Sequence, residues 1–315
     1  ALDFKAQQAA IAPVRSGRKV VLATSIAETS LTIEGIRIVV DAGRSRRALF
    51  DTASGMSRLV TERVTRAEAT QRAGRAGRVE AGVAYKLWTH GEEGALAAFP
   101  PAEIEAGDLT GFALELALWG AQAEELSFVT PPHPGRLAEA KAVLRMLGAL
   151  DDTGRITDHG RKLAKLPLHP RLAHMVARGG PRAPLLAALL AERDPMRGAP
   201  VDLSLRMDAL DGKRSATPPH APTLARIKAE AKRLGRMTKG DGPDGLGVLA
   251  ALAYPDRVGL RRKGEAPRYV LSGGKGAILP AADPMAGTRL LVATDLDGDP
   301  REARIRQAAL ISDAE

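Results

Sequence analysis

The pattern of apolar residues changes character twice along this chain, near residue 100 and again near Tyr254. Before the first change, apolar residues come in short β-branched runs. Lys19-Val-Val-Leu-Ala23 and Ile36-Arg-Ile-Val-Val40 predict buried strands, the second closed by Asp41-Ala-Gly43. A pair of strands is expected around Arg47–Phe50 and Ser57–Thr61, with Ala53-Ser-Gly55 as the turn. Residues 66–77 predict a helix and Gly82–Thr89 a further strand. Strands alternating with loops and helices predict an α/β layer with a mostly parallel sheet. This stretch is too short for a complete domain of that kind, so it is expected to be the second half of one.

From Pro100-Pro101 the period becomes helical. Leu109, Phe112, Ala113 and Leu116 share one face, as do Leu137, Ala140, Leu144 and Leu147. Asp151-Asp-Thr-Gly154 predicts a turn and Arg155-Ile-Thr157 a short strand; Thr157 or Asp158 then caps a helix that Pro167 stops. Helix, helix, short hairpin, helix is the order of a winged-helix module. Residues 171–193 predict an apolar helix, and a loop rich in Pro and Gly runs from Pro195 to Pro222. Residues 223–237 predict a basic amphipathic helix, and Gly240–Gly247 a flexible break. Beyond Tyr254, runs at 268–271, 276–279, 290–294 and 303–307 predict a small antiparallel sheet or partial barrel.

The densest chemistry lies in Gln71-Arg-Ala-Gly-Arg-Ala-Gly-Arg78, with three arginines and two glycines in eight residues. On a helix, Arg75 and Arg78 would share a face. The glycines let a phosphate or another chain approach closely. Guanidinium groups fork onto phosphate oxygens and can stabilise charge in phosphoryl transfer. An exposed basic helix turn would look the same taken alone. Upstream, Thr24-Ser-Ile-Ala-Glu-Thr-Ser-Leu-Thr32 follows a predicted strand, and its hydroxyls and N–H groups suit phosphate oxygens at a strand's carboxyl end, or simply cap a helix.

Together these segments bring a resemblance. Ala23–Ile33 resembles motif V of superfamily 2 DEAH-box helicases and Gln71–Arg78 their motif VI. Val40-Asp-Ala-Gly43 and Ser57–Ala69 are similar to the intervening hook and β-hairpin. Asp108-Leu through Leu118, Pro131-Pro132, Leu147-Gly-Ala-Leu150 and Leu163–Pro170 are similar to the winged helix and the helices after it. Leu189–Pro195, Tyr254-Pro-Asp-Arg257, Leu296-Asp-Gly298 and Arg301-Glu-Ala-Arg304 look most like the bacterial HrpB branch. The likeness covers nearly the whole chain.

The fold this implies is a partial α/β RecA-like second lobe, a mostly α winged-helix and helical-bundle region, and a small OB-like β end. The corresponding segments are 1–95, 96–170, 171–253 and 254–315. The implied activity is ATP-driven movement on single-stranded nucleic acid, RNA rather than DNA, in the cytoplasm. By resemblance, Arg75 and Arg78 reach the γ-phosphate and Gln71 positions the nucleotide and attacking water. Glu34 holds the ribose, and Thr32 lies with it on the nucleotide side. Thr24, Thr29, Ser30 and Arg44 face nucleic acid or the cleft. Ser25 departs from the family's usual Asn.

Two elements of that machinery are missing. No G-x-x-x-x-G-K-[ST] occurs and no Asp-Glu-x-His. They belong to a first RecA-like lobe, expected to precede residue 1 and to hold the Mg²⁺ that accompanies ATP. The chain alone is therefore expected not to hydrolyse ATP.

Charge fits an anionic partner. The net charge is +9, with residues 81–150 acidic (4 Lys+Arg, 9 Asp+Glu) between basic flanks. Aromatics are only 3%, so base stacking is not expected to dominate. With no Cys, disulfides, Cys-ligated zinc and thiol catalysis are excluded. The six His show no metal-ligand spacing, and Asp295-Leu-Asp-Gly-Asp299 has Arg306 where a calcium loop needs Glu. No apolar run reaches membrane-spanning length. The rival reading is a non-catalytic nucleic-acid-binding module, a winged helix with an OB-like end. A protein-interaction platform on the acidic stretch is a weaker third.

Overall fold

A computed structural model describes residues 4–14, 16–29, 33–51, 56–238, 240–299 and 302–314. The chain divides into two compact units, one of residues 1–49 and 59–106, the other of 50–58 and 107–315.

In the first unit the elements are α1 (Phe4–Ile11), α2 (Ile26–Thr29), β1 (Ile38–Asp41), α3 (Arg66–Gly74), β4 (Val83–Lys86), α4 (His90–Gly94) and α5 (Glu103–Ala106). Strands β2 (Arg44–Asp51) and β3 (Met56–Arg63) pair with each other where the strand pair is expected; their turn, 53–55, lies outside the described residues. β1 and β4 run parallel, with Val40 beside Tyr85. The approach of β4 is tight. A Cβ on Gly82 would stand 2.0 Å from the Ala76 carbonyl oxygen and 2.6 Å from that of Arg37.

The strand expected over Lys19–Ala23 does not form: these residues are irregular, with Val20 85% and Leu22 95% exposed. A strand is stable only where a neighbour takes up its N–H and C=O groups, and no described strand pairs with this segment. The helix expected over 66–77 stops at Gly74. The Arg75 N–H turns back to the Arg72 carbonyl at 3.1 Å, tightening the last turn. Arg75 is thus the cap and Arg78 lies beyond the helix, so the two do not share a helical face.

The second unit opens on helices. These are α6 (Thr110–Trp119), α7 (Pro134–Met146), α8 (Asp158–Ala164), α9 (Pro170–Arg178), α10 (Ala183–Ala191), α11 (Ser204–Leu210), α12 (Ala221–Gly235) and α13 (Leu246–Ala253). A bridge between Leu150 and Ile156 makes the short hairpin expected before α8, and the Thr157 hydroxyl accepts from Gly160 N–H to cap that helix. The helix expected over 171–193 is two helices. They break at Gly179, where a Cβ would lie 2.4 Å from Leu249 Cδ2. The loop expected over 195–222 contains α11. That helix is anchored by Arg206, 1% exposed, which pairs with Asp194 at 2.8 Å.

The C-terminal strands are β5 (Val258–Arg261), β6 (Arg268–Leu271), β7 (Gly276–Ile278), β8 (Leu290–Leu296) and β9 (Ala303–Leu310). They form a closed barrel in the order β5-β6-β7-β9-β8, not a partial one. It is not wholly antiparallel either, because β7 and β9 run parallel. Inward side chains from four of the five strands fill it: Tyr269, Leu271, Ala277, Leu291, Ala293, Ile305 and Ala308 share one core, and β5 brings the buried Gly259. The Tyr269 hydroxyl donates to the Thr288 carbonyl at 2.8 Å, satisfying the one polar atom this residue brings inside.

Among the described residues, no helix is long and apolar enough to cross a membrane.

Candidate functional site

The site is built on α3, whose two ends are fixed differently. At its start, Thr65 and Glu68 form a reciprocal capping box. Glu68 also accepts from the Ser45 hydroxyl at 3.0 Å and pairs with Arg47 at 2.5 Å. Burial alone would raise the Glu68 carboxyl. Hydrogen bonds from Arg47, from Thr65 and from Ser45 outweigh burial and hold it at about 2.

At its end, α3 presents two arginines to one residue of α2. Arg72 Nε lies 3.1 Å from a carboxylate oxygen of Glu28, and Arg75 Nε donates to the Glu28 main-chain carbonyl at 2.9 Å. Arg72 also reaches the carboxyl end of β1: its NH1 lies 3.0 Å from Asp41 Oδ1 and donates to the Arg44 carbonyl at 3.1 Å. Asp41 Oδ1 further accepts the Gly43 N–H at 2.9 Å, which closes the turn after β1. That turn needs glycine: Gly43 has φ +69, and a Cβ there would meet Trp88 at 2.8 Å. Asp41 Oδ2 is buried without a hydrogen-bond partner among the described residues, an acceptor left over at the site.

The carboxyl edge of a parallel strand is where α/β proteins place ligands. The cluster of Glu28, Asp41, Arg72 and Arg75 sits at that edge. A guanidinium resting on a carbonyl can exchange it for a phosphate oxygen, a stronger charge-assisted acceptor. Of the residues singled out in the sequence, Arg75 is half-buried within this cluster, while Gln71, Arg78, Glu34 and Thr24 are exposed. The Arg44 side chain is exposed too, and it is its carbonyl that joins the cluster. Ser30 and Thr32 lie outside the described residues, as does the side chain of Thr29. The residues missed were Glu28, Asp41 and Arg72. Arg72 stands inside the arginine-rich segment, but nothing in local spacing ties it to Glu28 or Asp41.

A cavity of about 60 Å³ lies beside the cluster, lined by Gly43, Arg63, Val64, Trp88 and Leu96. It is well under the ~300–1,000 Å³ of a small-molecule pocket. Among the described residues, no group of three or more His, Asp or Glu is arranged to hold a metal ion.

Comparison with known proteins adds to this geometry. The helicase conserved C-terminal domain matches residues 2–80, and the winged-helix helicase-associated domain HA2 matches residues 143–168. The chain is 40% identical over 302 residues to the ATP-dependent RNA helicase HrpB of Escherichia coli, which covers 93% of this chain and 36% of HrpB. It is 40% identical over 162 residues to the pre-mRNA-splicing factor ATP-dependent RNA helicase prp22 of Schizosaccharomyces pombe, covering 51% of this chain and 14% of that one. A crystal structure of the E. coli DExH-box NTPase HrpB superposes with TM-score 0.84 at 38% identity, over 99% of this chain and 38% of that chain. The chain thus spans little more than a third of the length of E. coli HrpB.

Proposed function

The chain belongs to the DEAH-box RNA helicases as a C-terminal portion of the HrpB kind, and from that premise we propose that in the full-length protein it forms one wall of an ATP-binding cleft and part of an RNA channel. The observation that carries this reading is the placement of Arg75 beside Arg72 at the carboxyl edge of β1. Arg75 and Arg78 are the guanidinium donors for the γ-phosphate. Gln71 orients the attacking water, and Glu34 and Thr32 hold the ribose side of the nucleotide. Thr24, Thr29, Ser30 and Arg44 contact the nucleic-acid backbone, which gives grip without reading sequence.

The donor set suits a triphosphate, because a guanidinium matches phosphate oxygens in charge and in geometry. When bound, ATP supplies the phosphoanhydride whose cleavage drives the cycle. Arg75 must leave the Glu28 carbonyl to serve it. By the family resemblance, the ligands of the accompanying Mg²⁺ are assigned to the first RecA-like lobe, the partner of this cleft.

The segments 1–95, 96–170, 171–253 and 254–315 are read as RecA-like, winged-helix, helical-bundle and OB-like parts. The strand order of the barrel supports the last, since five strands closed through a parallel third and fifth are an OB-like arrangement. RNA as partner, and the cytoplasm as the setting, are carried over from the likeness to ATP-dependent RNA helicases.

The test is steady-state ATP hydrolysis by the full-length protein with and without RNA. Arg75→Ala and Arg78→Ala should each lower kcat by ~10³-fold or more, the loss expected of an arginine finger. The isolated chain should show no turnover. RNA binding by a full-length protein whose ATP hydrolysis ignores both substitutions would leave this chain as a non-catalytic nucleic-acid-binding module.

A further inference from the structure

Glu28 is held at both of its ends by different residues. Its carboxylate faces Arg72 Nε at 3.1 Å, and its main-chain carbonyl accepts from Arg75 Nε at 2.9 Å. The carbonyl is available because α2 is only four residues long, and the last carbonyls of any helix lack partners within it. The carboxylate has no such freedom. Arg72 joins it to Asp41 at 3.0 Å and to the Arg44 carbonyl at 3.1 Å, so it is tied to the corner where β1 turns into β2. The three side chains of this tie are largely shielded, Arg72 16%, Glu28 12% and Asp41 6% exposed. Ion pairs so shielded are costly to break by removing one partner.

We propose that Glu28 is a positioning residue that sets the resting place of Arg75, and that Arg72 acts through it. The carbonyl on which Arg75 rests cannot drift while the carboxylate of the same residue is tied to the strand corner. A shift of segment 24–29 that strains the tie moves both ends of Glu28 together, and Arg75 is handed over from a carbonyl to an incoming phosphate. Occupancy of the hydroxyl-rich segment is in this way converted into placement of a guanidinium, through one residue and two hydrogen-bonding ends. The inference rests on the reading of Arg75 as a phosphate ligand.

The experiment uses the full-length protein with ATP and saturating single-stranded RNA. The variants are Glu28→Ala, Arg72→Lys and Arg75→Ala, with the doubles E28A/R75A and R72K/R75A. Lysine is the informative replacement at 72, because one ammonium cannot span Glu28, Asp41 and the Arg44 carbonyl in the geometry of a guanidinium. E28A and R72K should each lower kcat by about tenfold while KM for ATP changes by less than about twofold. Each double should be no slower than R75A alone, since a residue acting through Arg75 has nothing left to act on.

Doubles slower than R75A by the full factor of the single would overturn the proposal and assign Glu28 a general structural role. So would unchanged kcat in both singles. A wild-type protein whose hydrolysis is insensitive to RNA and to R75A would overturn the functional reading, and this inference with it.

Discussion

His159 Nε2 lies 2.8 Å from His174 Nδ1, and the two rings stand perpendicular with centroids 4.9 Å apart. One ring comes from α8 and the other from α9, so the contact ties the helix after the short hairpin to the next one. A single proton can be shared across it, and two cannot. Burial pushes the His174 imidazole down, helped by His159 and Arg178, to about 4. Burial likewise lowers His159, with Arg178 and Lys162 adding to the effect. The groups charged at neutral pH that face the pair are thus both cationic.

The sign follows. In the unfolded chain these histidines take up protons near the usual 6.5, whereas in the folded chain His174 does so only near 4. Stability should be complete above about pH 6.5 and fall as the pH drops from there toward 4. After allowance for solvent screening at a partly open site, the loss should be about 1–2 kcal/mol. Urea unfolding at pH 7.5 and pH 5 measures it, and His174→Gln should remove most of the difference.

Arg206 is a buried charge of the helical region, and its guanidinium spans Asp194 at 2.8 Å and the Asp202 carbonyl at 3.0 Å. Arg206→Ala would leave these acceptors facing a void and should cost about 3–5 kcal/mol. The measurement is the denaturant midpoint. A loss under about 1 kcal/mol would mean that water replaces the guanidinium without penalty.

The exposed side of α12 offers a separate test of RNA binding. Of its basic residues, Arg226 and Arg233 are turned to Glu192 at 3.0 Å and Glu230 at 2.8 Å. Lys228, Lys232 and Arg236 are exposed. Reversing these three to Glu should weaken RNA binding and flatten the dependence of log K on log salt by about 2. Titrations at several salt concentrations read the slope directly, and an unchanged slope would place the channel elsewhere.

What the sequence made legible follows the range of each interaction. The cap at Thr157, the strand pair β2–β3 and the helices α6 and α7 depend on neighbours a few residues away, and local pattern showed them. Arg72 is bound to a carboxylate 44 residues distant, and no spacing rule reaches that far. The run at 19–23 has the composition of an inner strand, yet composition cannot supply the adjoining strand that would make it one. Helix α11 was hidden by the prolines and glycines on either side, although Leu203, Met207 and Leu210 carry a helical period. The parallel pairing of β7 with β9 joins strands separated by β8, so a hairpin reading of successive runs had no means of predicting it.

The closed barrel has a consequence for any strand of RNA laid against it. Its five strands each have a neighbour on both sides, so their amides and carbonyls are already committed to one another. Grip there has to come from outward side chains and from the loops at the rim, which are replaceable one at a time. Substitutions on those positions can retune hold strength in small increments without touching the hydrogen-bond hoop that keeps the cylinder shut.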